Sequence, residues 1–350
     1  MLSVILVSNL LTSCSDDETI KGDYANGVFI TNEGGWGNNN GSISFYSYDK
    51  DEVTNNIFQA VNGRQLGDVV QSITISGDNA YIVVNNSNKI EVADKNTMSE
   101  KGVIENLPSP RYMAVSSSTG YVSCWGDNSI RVVDLNTFSV IDTIYSTGSG
   151  PEKMLITDNK LYVVNPGGWS NDSTVTVINT ESKEVIATIQ VPYLPMDIVK
   201  DNSGNIWVLS YGNEYYNDDY TAIVGHTPSY LYKIDPSTNQ VIASGELFAE
   251  QHPAHLEIDK DGSTLYVGGG YTFGGVYKIV ISGLNLSIGK IADDYAYGLN
   301  YDSNSDVLFV ALSGDYKSGG TLKRYDTDGN LLGTYTCGIG TSGAAFKKAK

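Results

Sequence analysis

Asn79-Ala80-Tyr81-Ile82-Val83-Val84-Asn85-Asn86-Ser87-Asn88-Lys89-Ile90-Glu91-Val92-Ala93-Asp94-Lys95-Asn96-Thr97 decides the fold. It reads as an alternating strand with an aromatic near its start, an asparagine-rich loop, a second alternating strand and a tight turn. Asp94 opens that turn, where its carboxylate can bond the backbone two residues on. The unit returns outward in both directions. Tyr121 lies 40 residues after Tyr81, Tyr162 lies 41 after Tyr121, and Phe309 lies 43 after Tyr266. The equivalent aromatics are Phe29, Tyr81, Tyr121, Tyr162, Trp207, Tyr266 and Phe309. The turns after the third strands repeat as Asp134-Leu135-Asn136-Thr137, Asn179-Thr180-Glu181-Ser182 and Asp235-Pro236-Ser237-Thr238. Four-strand units at about 40–45 residues predict an all-β, seven-bladed β-propeller.

Six units are complete, at about 67–105, 109–145, 150–191, 194–247, 252–291 and 295–336. The first, 27–60, has three strands. The segment Gly343-Ala344-Ala345-Phe346-Lys347 aligns with the first strand of the others, so it is expected to close the ring in blade one. Closure removes the free edges of a curved sheet. A length of 350 residues would suggest two domains by itself. The repeats override that and place one propeller domain at 27–350.

Composition excludes several classes. Asp plus Glu number 40 against 22 Lys plus Arg, a net charge of −18, which argues against nucleic acid as a partner. Charged residues make up 18% and hydrophobic ones 41%, a globular balance, with 24 tyrosines that suit short strands. Three cysteines cannot make a disulfide framework, and Cys124 and Cys337 are expected as separate buried thiols.

Residues 1–13, MLSVILVSNLLTS, read as a lipoprotein signal peptide that lacks the usual basic start. Leu11-Thr12-Ser13-Cys14 fits a lipobox, so Cys14 is the expected lipidation site. Ser15-Asp16-Asp17-Glu18 resembles the acidic tag that sends Bacteroidetes lipoproteins to the outer leaflet. Residues 14–26 then form a lipidated tether, and the expected location is the cell surface of the outer membrane, held by lipid.

The loops divide unequally between the two faces of such a ring. One face carries short turns, such as Ser76-Gly77-Asp78-Asn79 and Asp259-Lys260-Asp261-Gly262. The other carries long loops with Trp36, Trp125, Trp169, Tyr271 and a 210–229 insertion holding Tyr211, Tyr215, Tyr216, Tyr220 and His226. Aromatics over an Asn/Asp/Gly background make a recognition surface, with the three tryptophans as anchors. The competing reading is that these loops pack their aromatics on themselves. The inner strands start in two columns. One is Gln71, Arg111, Glu152, Met196, Ala254, Tyr297 and Gly343; the next is Ser72, Tyr112, Lys153, Asp197, His255, Gly298 and Ala344. One of these should ring the channel mouth, either receiving a polar ligand or merely pairing with neighbours.

No catalytic motif is visible. The three histidines are His226, His252 and His255; His252-Pro253-Ala254-His255 has helical ligand spacing on an extended segment, so no histidine metal site is expected. Asp259–Gly262 and Asp326–Gly329 open like calcium loops, but position twelve is Gly270 or Cys337 rather than Glu, so both read as turns. No nucleophile elbow, P-loop or dinucleotide fingerprint stands in the right context. The protein is read as a non-enzyme without a cofactor.

Gly27-Val28-Phe29-Ile30-Thr31-Asn32-Glu33-Gly34, Leu66-Gly67-Asp68-Val69-Val70-Gln71-Ser72, Val83-Val84-Asn85-Asn86-Ser87, Ser109-Pro110-Arg111-Tyr112 and Gly150-Pro151-Glu152-Lys153-Met154 carry a resemblance. The chain resembles the YncE-like, surface-layer-type propeller lipoproteins of gut Bacteroidetes. These include cell-surface cobalamin-binding lipoproteins that sit over a TonB-dependent transporter. The resemblance covers the mature chain and is most specific through blade four. It implies capture of a corrinoid-like nutrient on the loop-rich face and hand-over to a TonB-dependent outer-membrane transporter. It also implies ligand-facing roles for Asn32, Glu33, Gln71, Asn85, Asn86, Arg111 and Glu152. The 210–229 insertion departs from the pattern. Alternatives are a ferric-siderophore receptor and a scaffold or adhesion propeller for protein or glycan. A propeller lactonase or lyase would need a bound cation or catalytic pair.

Overall fold

The computed structural model describes residues 22–145, 148–270, 273–282 and 285–347. The proposed signal peptide, Cys14 and Tyr271 lie outside them. Seven four-stranded antiparallel sheets form the blades of a β-propeller. Their first strands are Val70–Ser76, Pro110–Ser116, Met154–Thr157, Pro195–Lys200, His255–Ile258, Gly298–Asp302 and, for blade one, Thr341–Phe346. These seven touch one another in a closed circuit around the axis. The C-terminal strand pairs with Gly27–Asn32, setting Val28 against Phe346 and Ile30 against Ala344.

Alternation builds the core between blades rather than within them. The repeated second-strand aromatics Phe29, Tyr81, Tyr121, Tyr162, Trp207, Tyr266 and Phe309 are all at most 3% exposed. Each of seven apolar clusters draws on two neighbouring blades. Phe29, Ile43 and Phe45 of blade one meet Val70, Ile82 and Val84 of blade two. Val307, Phe309 and Leu322 of blade seven meet Val28, Ile30 and Tyr46 of blade one. Cys124 and Cys337 are buried free thiols, each pushed up to about 12 by burial.

Two elements exceed the simple repeat. A short helix, Ile57–Asn62, follows the outer strand of blade one and buries Ile57 and Phe58 in the first seam. The 210–229 insertion is a β-hairpin, Asn213–Tyr216 paired with Ile223–Thr227, rather than an open loop. The chain enters on the short-turn face. Tyr24 donates its N–H to the Asn96 carbonyl, in the turn between the last two strands of blade two, at 2.9 Å. The Asp259 and Asp326 segments are turns held by their own carboxylates, which accept from the N–H groups of Ser263 and Asn330 at 2.8 Å each.

Candidate functional site at the channel mouth

The inner strands begin at the mouth, and their register there is broken on purpose. Val70 pairs with Val84 and Ser72 with Val83, so Gln71 is an extra, bulged residue. The pairing skips Arg111 and Tyr112 in blade three and Met196 in blade five. A bulge turns side chains out of the sheet plane, here toward the axis. Four of the rim residues, Gln71, Arg111, Glu152 and Met196, stand two positions after a backbone in the left-handed region: Val69 (φ 59°), Ser109 (φ 50°), Gly150 (φ 57°) and Leu194 (φ 58°). For a β-branched Val this is strained.

The result is a cavity of about 190 Å³ whose lining includes Glu33, Gln71, Arg111, Glu152, Met196 and Tyr297. The first sequence column therefore rings the mouth, and the second extends inward. Tyr112, Lys153 and His255 line both the mouth and the cavity of about 130 Å³ below it. Blade one departs by one position. Its register shifts between Thr31 and Asn32, so Ser342 reaches the rim while Gly343 and Ala344 line the lower cavity.

Arg111 and Lys153 are ion-paired at the mouth. Arg111 Nε and Nη2 donate to Glu152 at 3.0 and 2.8 Å, and Nη1 donates to Gln71 Oε1 at 2.5 Å. Burial opposes the guanidinium charge, but Glu152 outweighs it and the net shift is upward. Lys153 donates to Asp197 Oδ2, which also accepts the Leu256 N–H at 2.9 Å. Burial pushes the Glu33 carboxyl up to about 6, against the pull of Arg111 and of the Tyr297 hydroxyl that donates to it at 3.1 Å. Burial and then the Lys153 charge push the His255 imidazole down to about 4. His255 Nε2 donates to the Tyr297 carbonyl at 2.9 Å, while its buried Nδ1 has no hydrogen-bond partner.

An aromatic shelf stands beside the rim. The Arg111 guanidinium lies 4.0 Å from the Trp125 ring centre, and Trp169 meets Trp125 edge-on at 5.8 Å. Trp125 Nε1 is buried without a partner, whereas Trp169 is 86% and Trp36 67% exposed. Trp36 stands on the same face in blade one, outside that pair. Self-packing thus accounts for part of the loop aromatics and leaves Trp36 and Trp169 open.

The remaining sequence candidates brace the frame. Asn32 is fully buried, donates to Ser44 Oγ at 2.9 Å and accepts from Thr341 Oγ1 at 3.1 Å, so it ties the closing strand. Asn85 Nδ2 donates to the Pro110 carbonyl at 2.9 Å, fixing the start of the next bulge. Asn86 Nδ2 donates to Asp68 Oδ2 at 2.5 Å. Tyr211 stacks on His252 with ring centres 5.0 Å apart. In sequence, His252 stands three residues from His255. The fold instead sets His252 beside His226 and Glu214, with potential ligand atoms all within 4.8 Å of one another. That meeting spans the insertion and the next blade, and local spacing carries no signal of it.

Solved structures share this architecture at low identity. A functionally unknown protein from Desulfotomaculum acetoxidans matches with TM-score 0.67 at 14% identity, over 91% of this chain and 98% of its own. A proposed 6-phosphogluconolactonase from Bacteroides fragilis matches with TM-score 0.66 at 14% identity, over 93% and 99%. A quinonprotein alcohol dehydrogenase-like protein from Bacteroides thetaiotaomicron matches with TM-score 0.66 at 16% identity, over 92% and 78%. At such identities the likeness is one of fold. No curated protein matches the sequence significantly. Residues 26–326, most of the propeller, match one family throughout, and the chain belongs to it: the family described as Domain of unknown function (DUF5074).

Proposed function

We propose that this propeller is a non-enzymatic binding protein whose loop-rich face captures a large polar nutrient, with a corrinoid as the ligand class to test first. The observation that carries the reading is the mouth itself. A rim of paired charges and an unpartnered His255 Nδ1 lie beside the Trp125–Trp169 shelf. The cavity of about 190 Å³ is smaller than the roughly 300 Å³ at which pockets for whole drug-sized ligands begin. A large ligand therefore spreads over the shelf and sends one polar arm into the mouth. Aromatic faces take its flat area, and the rim reads its polar groups.

The tether supports the same reading. The chain enters on the short-turn face, so an anchor at Cys14 would hold the loop-rich face outward, toward solvent and a TonB-dependent transporter partner. Calorimetric titration of the purified protein with cyanocobalamin, and with a ferric siderophore in parallel, tests the proposal. Saturable one-to-one heat is expected, weakened by at least about 1 kcal/mol in Trp125→Ala and Trp169→Ala, as for binding hot spots. Binding of neither ligand, or binding that ignores both substitutions, sinks it.

A second reading has its own observation. Tyr220 and Tyr295 are 81% and 71% exposed and stand away from the mouth lining. Aromatics spread so widely suit a glycan or protein partner. Capture of a defined glycan on an array, lost on Tyr220→Ala but kept on Trp125→Ala, would favour it.

A further inference from the structure

The geometry points to a divalent transition-metal site formed by Glu214, His226 and His252, with Zn²⁺ the best-matched ion. The hairpin register sets Glu214 directly opposite His226, so both side chains leave the same face of that ribbon. His252 comes from the link into blade six and is fully buried. Its Nδ1–H donates to the Tyr211 carbonyl at 2.7 Å. That bond places the proton on Nδ1 and leaves the Nε2 lone pair aimed at His226, and metal-binding histidines typically have their other ring nitrogen held in this way.

His226 Nδ1 lies 3.0 Å from His252 Nε2, and the rings are 20° from parallel with centres 5.2 Å apart. Those values place the rings edge to edge, nitrogen facing nitrogen. Two imidazole ligands at about 2.05 Å around a tetrahedral zinc have nitrogens about 3.3 Å apart. The nitrogens therefore stand within a few tenths of an ångström of the required separation, though each ring must swing by roughly 35° to aim at a shared ion. His226, on the exposed hairpin, is the freer of the two. Metal capture moves its proton from Nδ1 to Nε2 through solvent, so the imidazole stays neutral. Glu214 accepts from the Tyr216 hydroxyl at 2.7 Å through Oε2, which orients the carboxylate.

Two imidazoles and one carboxylate favour zinc over calcium or magnesium and leave a fourth position open. The His252 backbone borders the mouth. A Cβ on the mouth-lining Gly270 would stand 2.5 Å from the His252 carbonyl and 3.5 Å from the Tyr211 ring. The inference does not depend on the nutrient reading.

Zn²⁺ titration of the metal-stripped full chain tests it, with Co²⁺ as a spectroscopic probe. One saturable site per chain is expected, with the intense visible bands of four-coordinate cobalt. His226→Gln and Glu214→Gln, both on the hairpin, should each weaken binding by at least tenfold. Asp218→Asn, an exposed acid on the same hairpin, should leave it unchanged. Absence of saturable binding overturns the site, as does zinc affinity that His226→Gln does not alter. His252→Gln adds to the test only if its circular dichroism matches the parent. His226→Gln and Glu214→Gln decide the matter without it.

Discussion

Gly150 shows how much one residue can hold. Its backbone is left-handed (φ 57°), and an added Cβ would stand 2.0 Å from the Gly168 nitrogen. Gly150→Ala must therefore displace the loop that carries Trp169. Forcing an L side chain into this region costs about 1–2 kcal/mol before any clash. A lowered urea midpoint and altered tryptophan emission are expected together. Arg111 is a second such position. Its Glu152 partner has a side chain only 6% exposed. Arg111→Ala leaves that charge stranded, and about 3–5 kcal/mol of stability should be lost in urea unfolding. Glu257 gives a pH signature. Burial pushes its carboxyl up to about 7, with Lys153 opposing. The folded state then holds a proton that the unfolded chain releases, so this contribution is full below the ordinary glutamate range and fades as pH rises through 7. Glu257→Gln should stabilise the protein at pH 8 relative to the parent, and the difference should shrink toward zero by pH 4.5. Denaturation at both pH values measures it. Gln71, Arg111 and Glu152 were legible because strand starts recur at a fixed place in each repeat, whereas Glu33, just past the end of Gly27–Asn32, came only from the resemblance. Asn32, Asn85 and Asn86 sit in equally distinctive motifs, yet their amides bond the Ser44 hydroxyl, the Pro110 carbonyl and the Asp68 carboxylate. A motif alone does not tell a recognising amide from a bracing one.

At the scale of elements, alternation and turn chemistry revealed the strands, and an unfinished first repeat revealed the closure. The bulges stayed hidden, since one extra residue leaves the apolar pattern on either side unchanged. They decide which side chains reach the axis. The 213–227 hairpin was also missed, because its strands are short, exposed and bounded by no Asn-Gly turn. The closing strand is the element most open to challenge. Ala344 donates its N–H to Asn300 Oδ1 at 2.7 Å and stands opposite Ile30 in the ladder. Ala344→Pro removes that donor and should cost about 3 kcal/mol or more. A lower melting temperature with new concentration-dependent association would mark an opened blade-one edge.

For the whole molecule, the decisive arrangement is that seams hold the apolar core. A blade cannot bury its faces alone, so damage to one seam spreads around the ring. Leu299, fully buried between blades six and seven, is a fair probe. Leu299→Ala should cost about 2–5 kcal/mol. The unfolding transition should move as one, and a separate early melt of blades six and seven would contradict a cooperative ring. Sequence periodicity reached this scale readily, since it needs only a count of repeats. It could not reach the meeting of His226 with His252, which depends on how an insertion folds back over its neighbour.

The first blade is finished by the last of the described strands. Ribosomes add about 5–20 residues per second, so roughly 15–65 s separate synthesis of Gly27–Asn32 from that of its partner Thr341–Phe346. Throughout that interval a growing chain holds a strand paired on one edge with Ser42–Ser47 and open on the other, waiting for a partner not yet translated. Interrupted synthesis would therefore yield no shorter ring, only an open arc with a sticky rim, a natural target for chaperones and proteases.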